Sequence, residues 1–497
     1  AETFTVTTAS DLSSEDDSQL TLREAIVSAN ETPGPDTIDF AEELSGAVLT
    51  LAQGELVIND DLEIDASSLN EAPIIDADQK SRVMHFTAPE GDLELTKLTL
   101  RNGMVTEDDS LGANGGGILF RSKGELTLMA STISGNSAVG TRSNSAYGGG
   151  IYSDWGAITI TNSTISGNSA TGSYGYGGGI KTWIGAVTLI NSSLNGNFAT
   201  STYDACGNGG CIRERERIVT RIEIGGAIST FSGTTALTNS TVRGGGIRSS
   251  SGPLIITNSI VAGNSASDSF PDLAPPSDPA NLLEVSNSVI GNSTGARLNE
   301  AKVNLNNITD VDPQLAPLAD NGGPTWTMLP FPGSPVINAG TTTDLSTDQR
   351  GFAHSGTPNI GAVEYQGPDD LALLLDTDID HDGNSYLVER ALGTDPFRND
   401  PNNPSNLLRP QFNPEGQPTL SFGIADDALP GTIWVLERST DLVTFEEIYT
   451  FDGTTDFAIE GIPIKFARTS TNVSITDEAP PARGTYYRFR AIFKITN

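Results

Sequence analysis

Several residue sets in this sequence have types and spacings that could do chemistry. Asp378, Asp380, Asp382, Gly383 and Glu389 fit the twelve-residue pattern D-x-D-x-D-G-x5-E, which wraps a divalent cation. Ca2+ takes roughly six to eight oxygens. The three aspartates, the carbonyl of Asn384 and a bidentate Glu389 would supply most of them, with Asp376 and Asp395 as further donors, while Gly383 permits the sharp turn. These ligands leave no obvious open position for chemistry, so the expected cofactor is a structural Ca2+ that stiffens a joint.

Three more sets lie in the middle of the chain. Cys206 and Cys211 are the only two cysteines. Two thiols alone make a poor metal site, and a local disulfide is expected. Nearby stand Tyr203 and Asp204, then Arg213-Glu214-Arg215-Glu216-Arg217. Strand alternation would put the three arginines on one face and the two glutamates on the other. A hydrolase or lyase would be built here, from Tyr203, Asp204, Arg215 and Arg217; the plainer alternative is a protruding hairpin whose charges pair with each other or with a partner. Finally, Tyr147, Tyr174 and Tyr176 precede glycine clusters, and Trp155 and Trp183 sit near an adjacent turn. Aromatics in a row can stack on sugar rings, which makes these five a candidate ligand surface; local packing is the alternative.

The wider composition limits the choice. A formal charge of −35 argues against sequence-independent binding to nucleic acid or anionic lipid, which needs clustered Lys and Arg. No apolar run is long enough to span a membrane as a helix. The first residue, Ala1, suggests a mature product after signal removal, hence a secreted protein. Between Gly115 and Ser265 the only acids are Glu125, Asp154, Asp204, Glu214, Glu216 and Glu223, and all three histidines lie elsewhere. A glycosidase wants paired carboxylates on neighbouring turns of chain, and a calcium-dependent lyase wants an acidic groove, so this stretch reads better as scaffold than as enzyme.

The elements that position these residues follow from a repeat. Aligned on the Asn of Asn-Ser-Thr, the chain gives Asn162, Asn191, Asn239, Asn258 and Asn287, with Lys97 and Ala130 at the same place earlier. Two residues before stand Leu95, Leu128, Ile160, Leu189, Leu237, Ile256 and Val285. Three residues after stand Leu100, Ile133, Ile165, Leu194, Val242, Val261 and Ile290. Apolar and polar residues alternate around each column, which means strand with one face buried. The odd step between the columns breaks that parity, so a turn or bulge lies near the Asn. A coil wound once per repeat would stack the aliphatic columns inside it, and the aligned asparagines are expected to form a ladder. Glycine clusters such as Gly115-Gly116-Gly117-Ile118 and Gly148-Gly149-Gly150-Ile151 read as corners.

A β-helix must cover its open sheet edges. Thr3–Thr7 reads as a strand, and Thr21 with Glu24 fits a capping box that starts a short amphipathic helix. Leu20–Ile26 resembles the N-terminal region of CSLREA-type bacterial β-helix surface proteins. Asp320–Thr325, Asp348-Gln349-Arg350-Gly351 and Asn359–Glu364 are similar to a choice-of-anchor Q-type ending. The resemblance covers roughly residues 1–366 and implies architecture without settled catalytic residues. Gly393-Thr394-Asp395-Pro396 resembles the close of EF-hand-like calcium linkers in secreted bacterial proteins. Trp434–Arg438, Phe445–Tyr449 and Tyr486–Ile492 have the short-strand patterning of a fibronectin type III-like module.

The expected fold is therefore an all-β, right-handed parallel β-helix with an N-terminal cap, followed by a calcium-binding linker and a small C-terminal β-sandwich. Its expected divisions are the cap and first coils (1–80), the repeats (81–300), the end of the β-helix (301–366), the linker (367–404) and the sandwich (405–497). The expected function is an extracellular structural or adhesive scaffold, cell-surface or secreted. Its partners would be copies of itself, which the weakly basic shaft between acidic ends would help to pack into a fibre, sheath or surface layer, or extracellular glycans. A polysaccharide lyase or hydrolase and a non-catalytic glycan-binding protein are the alternatives.

Overall fold

The computed structural model describes residues 1–12, 18–106, 113–140, 144–204, 218–222, 225–264, 272–354, 356–374, 377 and 379, and after residue 410 mainly the strands, with few of their side chains. The side chains of 202–204 and 218–222 are outside that description. The chain divides into two units, Ala1–Tyr365 and Gln366–Asn497.

The first unit is a parallel β-helix. Its described strands form one sheet of 11 strands, one of 10 and one of eight, each joined by parallel pairing of successive coils, with shorter sheets at one corner. Ile160 pairs with Leu189 in register, and so do Leu128 with Ile160 and Leu189 with Leu237, so one aliphatic column is a stacked rib of the first sheet. The second column stacks likewise, Ile133 on Ile165 on Leu194 on Val242. These residues are buried completely. Each such side chain contributes about 1.5–3 kcal/mol on burial, which is what drives the winding.

The parity break has a local cause. Asn162, Asn191, Asn239, Asn258 and Asn287 all take φ between +46° and +49°, the left-handed region that Asn tolerates better than most residues. That one residue turns the chain from the first sheet into the second. The serine that follows does the stacking. Ser131 N–H donates to Ser163 Oγ at 3.0 Å, Ser163 to Ser192 at 3.2 Å, Ser192 to Ser240 at 3.2 Å and Ser240 to Ser259 at 3.1 Å.

The asparagine ladder stands elsewhere than expected. Among the corner asparagines, Asn258 reaches Asn239 at 3.0 Å, but Asn191 turns outward to the carbonyl of Thr347. The continuous amide column lies six residues later and wholly inside. Asn136 Nδ2 donates to Asn168 Oδ1 at 3.0 Å, and Asn168 Nδ2 to Asn197 Oδ1 at 2.9 Å. A side-chain amide buried in an apolar coil must find partners, and an identical residue one coil away offers them at the right spacing.

Glycines let the coil fold tightly at its third corner. A Cβ placed on Gly149 would lie 2.1 Å from the carbonyl oxygen of Ser169, so no side chain fits there. At the N-terminal end the helix Leu22–Glu31 starts with the expected capping box and buries Leu22, Ala25, Ile26 and Ala29.

The outer face of the second sheet, from Thr164 to its C-terminal end, is covered by residues 313–354 and 356–365, which run along it as a strap. Thr164 donates to the carbonyl of Trp326 at 2.6 Å, Asn258 to that of Asn359 at 3.0 Å, and Arg243 to that of Leu315 at 3.1 Å. Ile260 and Val289, outward on their strands, pack there against Leu315, Met328, Val336 and Ile360. The strap is pinned by buried charges: Arg350 bonds Asp348 at 3.1 Å and the carbonyl of Glu364 at 2.7 Å, while His354 meets the Glu364 carboxylate at 3.2 Å.

The second unit contains a short helix, Pro368–Leu374, and two four-stranded antiparallel sheets. Thr432–Ser439, Glu446–Phe451 and Tyr486–Phe493, where short strands were expected, lie in one of these sheets. Leu420, Leu436 and Ile475 are buried.

Candidate functional site: an aromatic and cationic face

On the third sheet, each isoleucine that follows a glycine corner points inward: Ile118, Ile151, Ile180, Ile228 and Ile247 stack in register and are fully buried. The residue after each points outward by strand alternation. That column runs His85, Leu119, Tyr152, Lys181, Ser229, Arg248. Leu119, Tyr152, Lys181 and Ser229 are nevertheless buried. Glycines allow close cover at two of these positions. A Cβ on Gly177 would lie 2.9 Å from that of Lys181, and one on Gly225 2.7 Å from that of Arg248.

Rings gather around this column. Tyr147 and Tyr176, paired on neighbouring strands of the corner sheet, stack at 6.1 Å with an interplanar angle of 7°. Tyr147 also meets Tyr152 at 6.2 Å and the edge of Trp183 at 6.0 Å, and Trp183 continues to Phe231 at 5.5 Å. Trp183 and Phe231 are exposed, as are Ile184, Trp155 and Tyr174. An aromatic row with one open side can take up the apolar face of a flat ring.

Two cations sit among the rings. Lys181 Nζ lies 4.8 Å from the centre of the Trp183 ring and donates to the carbonyl of Thr182 at 3.0 Å. The guanidinium of Arg248 is 5.4 Å from the centre of the Tyr176 ring. Burial, and then the positive charge of Arg248, lower the Lys181 amine to about 8. Tyr152 donates to Asp154 at 2.7 Å; its burial, and then that bond, push the phenol up from its ordinary value. Arg121 stands 4.0 Å from the other oxygen of Asp154.

Of the five surface aromatics picked out by sequence, Tyr147, Tyr176 and Trp183 come together. Trp155 and Tyr174 are exposed and, among the described residues, join no ring pair. Tyr152, Lys181, Phe231 and Arg248 complete the face and were not picked out. Alignment on the isoleucine after each glycine cluster would have found Tyr152, Lys181 and Arg248 in one column. Tyr203 and Asp204 end the strand Phe198–Asp204, which pairs antiparallel with Ile218–Ile222, so the coil register is interrupted there by a strand pair. Their side chains, and Arg215, Arg217, Cys206 and Cys211, lie outside the described residues, as do the calcium-loop positions Asp378, Asp380, Asp382, Asn384 and Glu389. Among the described residues, no three His, Cys, Asp or Glu side chains gather to hold a metal.

Fold and face together define a parallel β-helix with an aromatic, cation-bearing strip on its third sheet. No protein-family model, curated protein or solved structure matches the chain.

Proposed function

We propose that this protein is an extracellular adhesive scaffold whose β-helix holds the third-sheet aromatic strip against carbohydrate. The observation that carries the reading is the continuous set of rings, Tyr176, Tyr147, Trp183 and Phe231, held by neighbouring coils with the last two open to solvent. Coils spaced about 4.8 Å apart fix the rings relative to one another before any ligand arrives, so binding costs little ordering. The calcium loop at Asp378–Glu389 would stiffen the segment that follows the shaft, and copies of the chain would array the strip along a fibre or sheath.

Binding of the full chain to a panel of immobilised polysaccharides tests this. The expected result is retention on a subset of glycans that Trp183→Ala abolishes without loss of fold. Indifference to every glycan would sink the reading. New reducing ends or unsaturated products in the same samples would replace adhesion with polysaccharide cleavage.

A further inference from the structure

Lys181 and Arg248 stand two coils apart on the same outward column, with Ser229 between them. At about 4.8 Å per coil their backbones are roughly 10 Å apart. Ser229 is itself buried, so the two long cationic side chains stand over a closed floor, with the Trp183 ring beside Lys181 and the Tyr176 ring beside Arg248.

The charges of this pair run against those of the chain. Acidic residues number 63 against 28 Lys and Arg, yet among the described residues no carboxylate pairs with Lys181 or Arg248. Lys181 is 5% exposed. Burying an ammonium without a counter-charge is costly, and placing a guanidinium near it adds repulsion. An arriving anion would relieve both. A neutral sugar would use the rings and leave the cations unsatisfied.

We propose that this pair of cations binds the acid group of an anionic polysaccharide, a uronate carboxylate or a sulfate ester, at the surface, while the flanking rings take the sugar itself. The inference rests on the carbohydrate reading above and names its ligand class. The negative field of the rest of the molecule disfavours every polyanion, and nucleic acid more than a sparsely charged polysaccharide, so the attraction must come from the two local cations.

Calorimetric titration of the full chain with uronate oligosaccharides, sulfated galactan oligosaccharides and neutral glucan oligosaccharides of equal length is the test. Acidic ligands should bind about tenfold or more tightly than neutral ones, and salt should weaken only the acidic ones. Arg248→Gln and Lys181→Met should each weaken acidic binding about 10- to 100-fold and neutral binding far less, whereas Trp183→Ala weakens both to a similar extent. The ratio of uronate to sulfate affinity identifies which acid is preferred. Half-buried Arg248 carries the test alone if Lys181→Met fails to fold. Equal affinity for acidic and neutral sugars, or an unaltered Arg248→Gln, overturns the anion site and leaves carbohydrate adhesion standing. Binding to none of them removes the adhesion reading itself.

Discussion

Asn168 and Asn197 share a hydrogen bond of 2.9 Å inside the shaft, and the main-chain N–H of Asn168 donates to the same oxygen of Asn197 at 3.1 Å. One amide thus joins two coils twice and passes the same arrangement on to Asn136. Asn168→Ala should destabilise the shaft by about 2–5 kcal/mol, because partners above it are left buried and unmatched. Asn168→Asp should be worse at neutral pH, where a carboxylate faces the Asn197 oxygen, and should partly recover on acidification, when the carboxyl regains a proton to donate. Urea midpoints at pH 7 and pH 4 check both; an Asn168→Asp variant insensitive to pH would contradict the column.

The corner position behaves differently. Asn162 has φ of +49° and a side-chain oxygen without a hydrogen-bond partner, so it is held for its backbone. Asn162→Gly is expected to change stability by about 0.5 kcal/mol or less, while Asn162→Val should cost about 1–2 kcal/mol through left-handed strain. Thermal melts of the two variants, compared side by side, read the difference.

Gln349 is the strap's central fastening: it accepts from Ser193 at 2.6 Å and donates to Thr164 at 3.0 Å and Thr325 at 2.9 Å. Gln349→Ala should cost about 2–4 kcal/mol. Limited proteolysis should then cut within 313–365 before any coil is lost; first cuts in the coils would show that the strap is not the weakened part.

Lys181 gives a pH dependence of definite sign. Its folded-state value of about 8 lies below the ordinary 10.5, so between these values the unfolded chain binds more protons. Stability should therefore rise as pH climbs from about 8 towards 10.5. Lys181→Met should remove that rise and match or exceed the parent in stability near pH 7. Denaturation midpoints across this range decide it, and a parent whose stability falls there, with Lys181→Met falling in parallel, would refute the assignment.

Calcium removal should act on the segment that carries the calcium-loop pattern, Asp378 to Glu389. Chelation is expected to expose residues 376–395 to protease, and Asp378→Asn or Glu389→Gln should make the chain equally sensitive with calcium present. Mass mapping of the first cuts measures this; protection that persists in chelator would remove the ion from the account.

The shaft was largely legible in the sequence because one face of each strand must be apolar. Leu128, Ile160 and Leu189 announce themselves by period-two alternation, and Thr21 with Glu24 by a reciprocal cap. Ser163 was harder to read, since a serine in a polar triplet looks the same whether it stacks or faces water. The strap was invisible: its bonds join irregular backbone to side chains such as Thr164 and Asn191, more than 150 residues away, and leave no periodicity. Lys181 and Arg248 were missed for a related reason. Outward strand positions normally meet solvent, whereas glycine corners lie close over this column and help to bury Lys181.

A stack of repeats touches only its neighbours and can peel from either end, one layer after another. The strap forbids that at the C-terminal end. Because it grips layers from Asn162 to Asn258 at once, the last layers cannot leave singly while the strap holds. Its detachment becomes the committed step, after which many layers go together, so the shaft should unfold in a few large cooperative events and resist slow erosion.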